Sequence, residues 1–469
     1  MGPIGTGSSL IHARRAVASR RFNFVDSHMS NTVKEMRLED RFVSAFEMNV
    51  GRTLNGTNRK LQDLRKAAID RFRELGFPSP KAEAWKYTNI GNVLKREYSV
   101  HLAAPQTGVS RSDVEGHLIP EMDAHVVVLV NGRYMSDLSD LGELPAGVII
   151  AGLEEASRRH SDLVNMYFGR AAKDDDVFTA LNTAFTLDGL FVYVPRGRVL
   201  EKPLHVINLI AANEDLFLQP RNLIVFEEGS QARIVETGGD LGAAHTFTNV
   251  VTEVFVGSRA VVDMYAIQDG GPKASLVSNI EAHQEGESVL STFTVTLTGE
   301  VVRNNLTVVP DGEHCETHLF GLFLPIGDTH VDNHTLVDHA KPNCMSNELY
   351  KGVIDDQGSG VFNGKVFVRR DAQKTNAFQE NKTILLSDTA TMNAKPELEI
   401  YADDVKCSHG ATTGQLDREA LFYLRSRGIP EKEARGMLLH AFARDVIDEI
   451  KIEPLRTMLD LRVSERFGW

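Results

Sequence analysis

The chain has 469 residues, 42% hydrophobic and 25% charged, enough for two or three domains of ordinary globular composition. A formal charge of −13 at pH 7 argues against nucleic acid as the main partner, because neutralising phosphates takes a basic face, and no run approaches the roughly 18 apolar residues of a membrane span. The three cysteines, Cys315, Cys344 and Cys407, form no Cys-x-x-Cys pair, which points to a reducing compartment and excludes a four-thiolate cluster within one copy.

Residues 1–28 stand apart, with Arg14, Arg15, Arg20 and Arg21 and no acid before Asp26. They read as a tag or upstream extension ahead of Met29, or as a transit peptide, which has the same basic bias. The location follows: cytoplasmic, or plastid if the segment is a transit peptide. Residues 29–185 form a helical and mixed domain. Met36, Phe42, Val43, Phe46 and Val50 mark one helix, and Leu61, Leu64, Ala68, Ile69, Phe72 and Leu75 a second, which Gly76 ends ahead of Pro78 and Pro80. Trp85-Lys-Tyr87 is expected to pack this region against the rest. Val126 to Val130 followed by Asn131-Gly132 predicts a hairpin. Helices are expected over 162–173 and 177–185, with Asp174-Asp-Asp176 as a solvated turn between them.

From Phe191 to about Ile400 the pattern is short β-branched strands with almost no helical periodicity. Glycine-centred turns fall at Gly229, Gly257, Gly286 and Gly312, at intervals of 28, 29 and 26 residues, with Gly358 taken as two further steps. A loose fixed period marks a stacked repeat, so residues 186–414 are assigned to a β-helix (solenoid) core in a mainly β protein, with helical regions at both ends. A jelly roll is the alternative. Such a stack has open ends whose strand edges must be covered or paired with another chain.

After Gly414 the chain turns helical, so residues 415–469 form a C-terminal helical domain. Asp417 caps a helix ending near Gly428, and Pro430 opens another with Ala434, Met437, Leu438, Ala441, Phe442, Val446 and Ile450 on its apolar face. That face either packs on the strands or docks a partner.

Three groups of residues carry chemistry. Cys407 and His409 are two apart on an extended segment, so a thiol and an imidazole share one side, a pair suited to iron or zinc. His330, Asp332 and His334 alternate likewise, a two-histidine-plus-acid set that a cupin-like metal-dependent enzyme would use. A carbohydrate-active β-helix enzyme is a further alternative, which predicts a groove with paired acids. Neither a phosphate-binding Gly-x-x-x-x-Gly-Lys-Ser/Thr loop nor a Gly-x-Ser-x-Gly elbow is present, so the chain is expected to be no enzyme by itself.

The words Ala402-Asp-Asp-Val-Lys-Cys-Ser-His-Gly-Ala-Thr412 and Leu421-Phe-Tyr-Leu-Arg-Ser-Arg-Gly428 closely resemble the SufB/SufD family of iron–sulfur cluster assembly proteins. The likeness extends through His334-Thr-Leu-Val-Asp-His-Ala-Lys-Pro342, Tyr350-Lys-Gly-Val353, Gly360-Val-Phe-Asn-Gly-Lys365 and Gln373-Lys-Thr375. Ser408 and Gly410, where the SufB word looks like Cys-Glu-His-Glu, and the word Glu83-Ala-Trp-Lys-Tyr-Thr88 favour the SufD branch.

The resemblance implies a β-helix core and a non-catalytic scaffold subunit. Its partners would be SufB and the ATPase SufC, in a complex supporting cluster assembly and iron acquisition, with a homodimer as the state in isolation. It implies no cluster held stably by the isolated chain, a transient cluster at the SufB interface, and reduced flavin acting on the complex. Carried onto this sequence, His409 and then Cys407 are the interface residues. The SufC dock falls on Leu421, Tyr423, Leu424, Arg425, Arg427, Met437, Leu438 and Phe442.

Overall fold

The computed structural model describes residues 37–53, 59–79, 81–100 and 108–468. The basic segment 1–28, Met36 and Pro80 lie outside the described residues, as does the side chain of Val50.

Two mostly parallel sheets, of eleven and ten strands, face each other, and the chain alternates between them. Successive strands Thr246–Val256, Ala274–Gln284, Val301–Pro310, His330–His339, Ser359–Val368 and Thr391–Ile400 build the first sheet. Val261–Asp269, Val289–Thr298, Glu316–Phe323, Met345–Ile354, Asn376–Leu385 and Lys406–Gly414 build the second. The result is a β-solenoid of about 7 turns with helices at its N- and C-terminal regions. One turn spans from 26 residues (Leu276 to Val302) to 32 (Ser359 to Thr391). The strands are longer than the sequence suggested, commonly 10 residues, because β-branched runs such as Val289–Thr298 continue through polar Thr and Ser without a breaker.

Inward side chains, among them Val192, Ile234, Val254, Val262, Leu290, Leu306, Leu319 and Val337, form the core between the sheets. The turn glycines do stack: a Cβ on Gly312 would lie 2.0 Å from the Gly286 nitrogen, so backbone passes against backbone there. Gly358 is different. It closes the opposite corner, where its N–H donates to the Asp355 carbonyl. The corner of Gly286 and Gly312 continues instead through Asn343, whose N–H reaches the Gln373 carbonyl. Five successive turns of that corner each place one non-glycine residue at positive φ: Arg259, Glu287, His314, Asn343 and Lys374. Of these, Asn343 and His314 are residue types enriched at positive φ, whereas Arg259, Glu287 and Lys374 are not.

The outer faces are covered unequally. The helices Leu38–Thr53, Arg59–Leu75 and Val177–Phe185 bring Phe42, Phe72 and Phe178 onto Phe217, Phe247 and Val277 of the first sheet. Between them Asp176 caps the third helix through the N–H groups of Phe178 and Thr179, and Asp174 accepts from the Thr183 hydroxyl. The acidic triplet is thus a helix start more than a solvated turn. Trp85 is buried under the Arg303 guanidinium, 3.9 Å from its ring, as the packing role requires.

On the second sheet Tyr265, Phe293 and Phe320 stack in register at 4.7 Å, and the helices Glu431–Ile447 and Glu453–Phe467 cover them. The N-terminal end of the stack is closed by antiparallel pairs, Ile149–Gly152 with Leu190–Val194 and the Asn131-Gly132 hairpin. The other end is not closed: Thr391–Ile400 and Lys406–Gly414 are the outermost strands of the two sheets, with no strand beyond either among the described residues. No described helix is long and apolar enough to cross a membrane.

Candidate functional site at the open end of the solenoid

The strand Lys406–Gly414 is joined to the turn beneath it by the Lys406 N–H, which donates to the Thr375 carbonyl at 2.9 Å, and by a register that sets Cys407 over Ala377 and His409 over Gln379. Parallel pairing uses alternate residues, so the N–H groups of Cys407, His409, Ala411 and Thr413 face the free edge. Cys407 is half-buried against Val366, Val368, Ala377 and Leu398 between the sheets. Burial pushes its thiol up from the ordinary cysteine value, so it stays protonated and weakly nucleophilic near neutrality. His409, two residues on and on the same side, is exposed. Cys315 and Cys344 are buried deeper in the stack, each hydrogen-bonded to the Gly312 carbonyl at 3.3 and 3.1 Å. Of the three thiols, Cys407 alone reaches the open end.

Under that strand the core turns polar, which the sequence reading missed. Gln379, Asn381 and Thr383 alternate inward and are buried, and the Gln379 Oε1, Asn381 Oδ1 and Thr383 Oγ1 atoms have no partner. Gln379 Nε2 donates to Glu348 Oε2 at 2.7 Å, and Thr335 Oγ1 donates to Glu348 Oε1 at 2.6 Å. Burial pushes the Glu348 carboxyl up to about 7. The available signal was the alternation of polar Gln379, Asn381 and Thr383 at inward positions that the turn two below fills with Leu319, Gly321 and Phe323.

A second exposed element follows. The helix Arg418–Ser426, capped by Asp417 through the N–H groups of Glu419 and Ala420, has no buried residue. Phe422 is 74% exposed, the highest of the exposed large hydrophobics. Tyr423, Arg425 and Arg427 are exposed beside it, with the Arg427 guanidinium 5.2 Å from the Tyr423 ring, while Leu421 and Leu424 are half-buried. Phe422 was absent from the expected dock.

Met437, Leu438 and Phe442 lie on the next helix and are half-buried. Its covered face is Ala434, Leu439, Ala443, Val446 and Ile447, with Ile450 beyond; Ala434, Val446 and Ile450 are as expected, while the middle of the stripe lies one position round and Ala441 is exposed. The register is set by Lys351, whose ammonium sits 4.2 Å over the Phe442 ring and donates to the Phe442 carbonyl.

His330, Asp332 and His334 do share the outer face of the first sheet. Asp332, however, accepts from Arg303 Nη1 at 2.7 Å and from the Thr88 hydroxyl at 2.5 Å, and His334 Nε2 lies 3.0 Å from its other oxygen. The arginine holds the Asp332 carboxyl down at about 2 against its burial. His330 is bonded to Thr88 and Ser359. These groups serve to pin the Trp85 segment, and among the described residues no group of three or more His, Cys, Asp or Glu is arranged to hold a metal ion.

A cavity of about 180 Å³ lies between the sheets, with Glu236, Gln268, Asn304 and Tyr350 in its wall. Its lining contains no Lys, Arg or His to meet a flavin phosphate, so it does not fit that group.

Two family models match the chain: the SufBD protein N-terminal region over residues 36–206, and the SUF system FeS cluster assembly SufBD core domain over residues 208–442. The chain is 31% identical over 415 residues to an iron–sulfur cluster assembly SufBD family protein of Synechocystis sp., covering 87% of this chain and 91% of that one. It is 29% identical to the iron–sulfur cluster assembly protein SufD of Escherichia coli, over 85% and 91% of the two chains. It is 28% identical to the chloroplastic protein ABCI7 of Arabidopsis thaliana, over 91% and 92%.

Proposed function

This chain belongs to the SufBD family of the SUF iron–sulfur cluster assembly system, and on that premise we propose that it is the SufD-like scaffold subunit of a complex with SufB and the ATPase SufC. It catalyses no reaction alone. It holds one wall of the place where iron and sulfide, the substrates, are joined, and it takes part in iron acquisition. The observation that carries this reading is the uncapped last turn: two outermost strands, a free row of N–H groups, and His409 with Cys407 on the strand a partner would cover.

In this reading a related β-solenoid, SufB, adds its own edge strand to this one, and a second copy of this chain takes that place when SufB is lacking. His409 offers a neutral imidazole nitrogen to iron, and Cys407 a thiolate once its surroundings open and its proton leaves. The opening force comes through the helix Arg418–Ser426, which SufC grips at Phe422 and Tyr423 and moves on binding ATP. No cluster stays on the isolated chain, because a thiol and an imidazole are too few ligands for a closed site. Reduced flavin, if it donates electrons to the complex, does so from a site this chain does not form alone. A cytoplasmic or plastid location fits, since similarity spans a chloroplastic relative.

The deciding experiment reconstitutes the complex with His409→Ala in this chain. Cluster formation is expected to fall severely while the complex assembles normally; an unchanged rate sinks the imidazole role.

A further inference from the structure

We propose that Gln379, held by Glu348, is a positioning residue that selects the tautomer of His409. The inference rests on His409 being the working imidazole, and it adds two residues that were not among the expected site residues.

The three positions are consecutive rungs of one inward ladder, because Glu348 pairs with Gln379 and Gln379 with His409 in the parallel register. Rungs of such a ladder lie about 4.8 Å apart. The space for Gln379 is built in: the residue facing it is Gly364, where a Cβ would come within 2.4 Å of Gln379 Nε2. The carboxamide also has a defined orientation. Glu348 accepts a hydrogen bond from the Thr335 hydroxyl on one oxygen and from Gln379 Nε2 on the other. With its nitrogen committed to Glu348, Gln379 presents Oε1 elsewhere, and that oxygen is buried without a partner. A buried acceptor with nothing to accept is costly to leave bare, and a donor on the next rung relieves that cost.

The next rung is His409. When its ring turns inward, one ring N–H satisfies Gln379 Oε1, and the other nitrogen is left with its lone pair outward. An imidazole can ligate a metal only through such a nitrogen, and a hydrogen bond on the opposite nitrogen fixes which one that is. Asn381 Oδ1 and Thr383 Oγ1, also unpartnered, lie further along the strand from that rung and do not compete. A partner strand laid over the free edge closes the ring in and makes the bond permanent. In the chain alone His409 is exposed and Gln379 Oε1 unpartnered, so the bond forms only while the ring is turned inward, and that population biases the tautomer.

The arrangement makes a prediction with a sign. In Glu348→Gln the side chain keeps its shape but gains an NH2, which donates to Gln379 Oε1 and turns that amide over. Gln379 then offers Nε2 upward, the inward ring nitrogen of His409 must accept, and the tautomer reverses. Gln379→Leu removes the preference altogether. The test is two-bond 15N–1H correlation of the full chain with 15N-labelled histidine, His409 being assigned by comparison with His409→Ala, together with Co(II) titration of the same samples.

The unmutated chain should favour one tautomer, Gln379→Leu should lose the bias, and Glu348→Gln should invert it. Co(II) affinity should drop about tenfold or more in both variants. Should Gln379→Leu fail to fold, the isosteric Glu348→Gln decides alone. Identical 15N patterns in the unmutated chain and the folded variants overturn the proposal. If the patterns change as expected while His409→Ala leaves cluster assembly untouched, the hydrogen bond stands and the functional reading of His409 fails.

Discussion

Arg221 and Glu253 meet at 2.7 Å, 32 positions apart in sequence, with neither side chain exposed at all. Glu253 also accepts the N–H groups of Gly169, Ala171 and Ala172, so this one carboxylate ties the segment ahead of the third N-terminal helix to the solenoid wall. Removing one partner leaves a buried charge uncompensated. Arg221→Met should therefore destabilise by about 3–5 kcal/mol in urea unfolding, whereas replacing both residues with apolar ones should cost clearly less than the two single changes combined.

Glu236 supplies a pH dependence. It lines the cavity between the sheets, and burial pushes its carboxyl up to about 7 from 4.5. The folded state then binds a proton more tightly than the unfolded one, so this group's contribution falls as pH rises from about 4.5 through 7 and is flat above. Relative to the unmutated chain, Glu236→Gln should be near neutral at pH 5 and more stable by on the order of 2 kcal/mol at pH 8. Parallel urea curves at the two pH values decide it, and no difference between them refutes the assignment.

The free edge predicts a substitution that spares the fold. Ala411 directs its N–H outward and pairs with no strand beyond, so Ala411→Pro removes no hydrogen bond within the chain. Thermal stability should change by less than about 1 kcal/mol. Association through this edge, with a second copy or with SufB, should be lost or strongly weakened in sedimentation and co-purification. Undiminished association would place the interface elsewhere.

Phe422 predicts the dock. Because it is 74% exposed and packs on nothing in the chain's core, Phe422→Ala should leave the melting temperature unchanged. Capture of SufC should weaken by about 2 kcal/mol or more, roughly thirtyfold in Kd, as for a buried aromatic anchor. Leu439→Ala, on the buried face by which the next helix packs against the second sheet, should instead lower stability. Calorimetry on both variants separates the two helices' roles.

The solenoid was legible because it is a local rule repeated. Turn glycines at Gly229, Gly257, Gly286 and Gly312 and β-branched strands between them recur whatever lies across the core. The signal failed at Gly358, because a two-cornered turn has two sets of punctuation and a single period cannot tell which corner a glycine belongs to. It failed again at the tail. In the middle of the second tail helix the most buried positions are Leu439 and Ala443 in place of Leu438 and Phe442, which lie half-buried, and Lys351 on a distant strand bonds the Phe442 carbonyl there. His330, Asp332 and His334 were rightly placed on one face, but nothing local told that Arg303 and Thr88 would occupy the acid.

What the sequence by itself determined was the repeat, the membership carried by its words, and the pairing of Cys407 with His409 on one side of an extended strand. Those depend on spacing of 2 and on a period near 30, both properties of the chain alone. Only the tertiary structure decided that this strand is the last of its sheet and that Glu348 and Gln379 stand beneath His409. Register between strands a whole turn apart is set by how the interior side chains of every turn pack together, and no short stretch of sequence contains that sum.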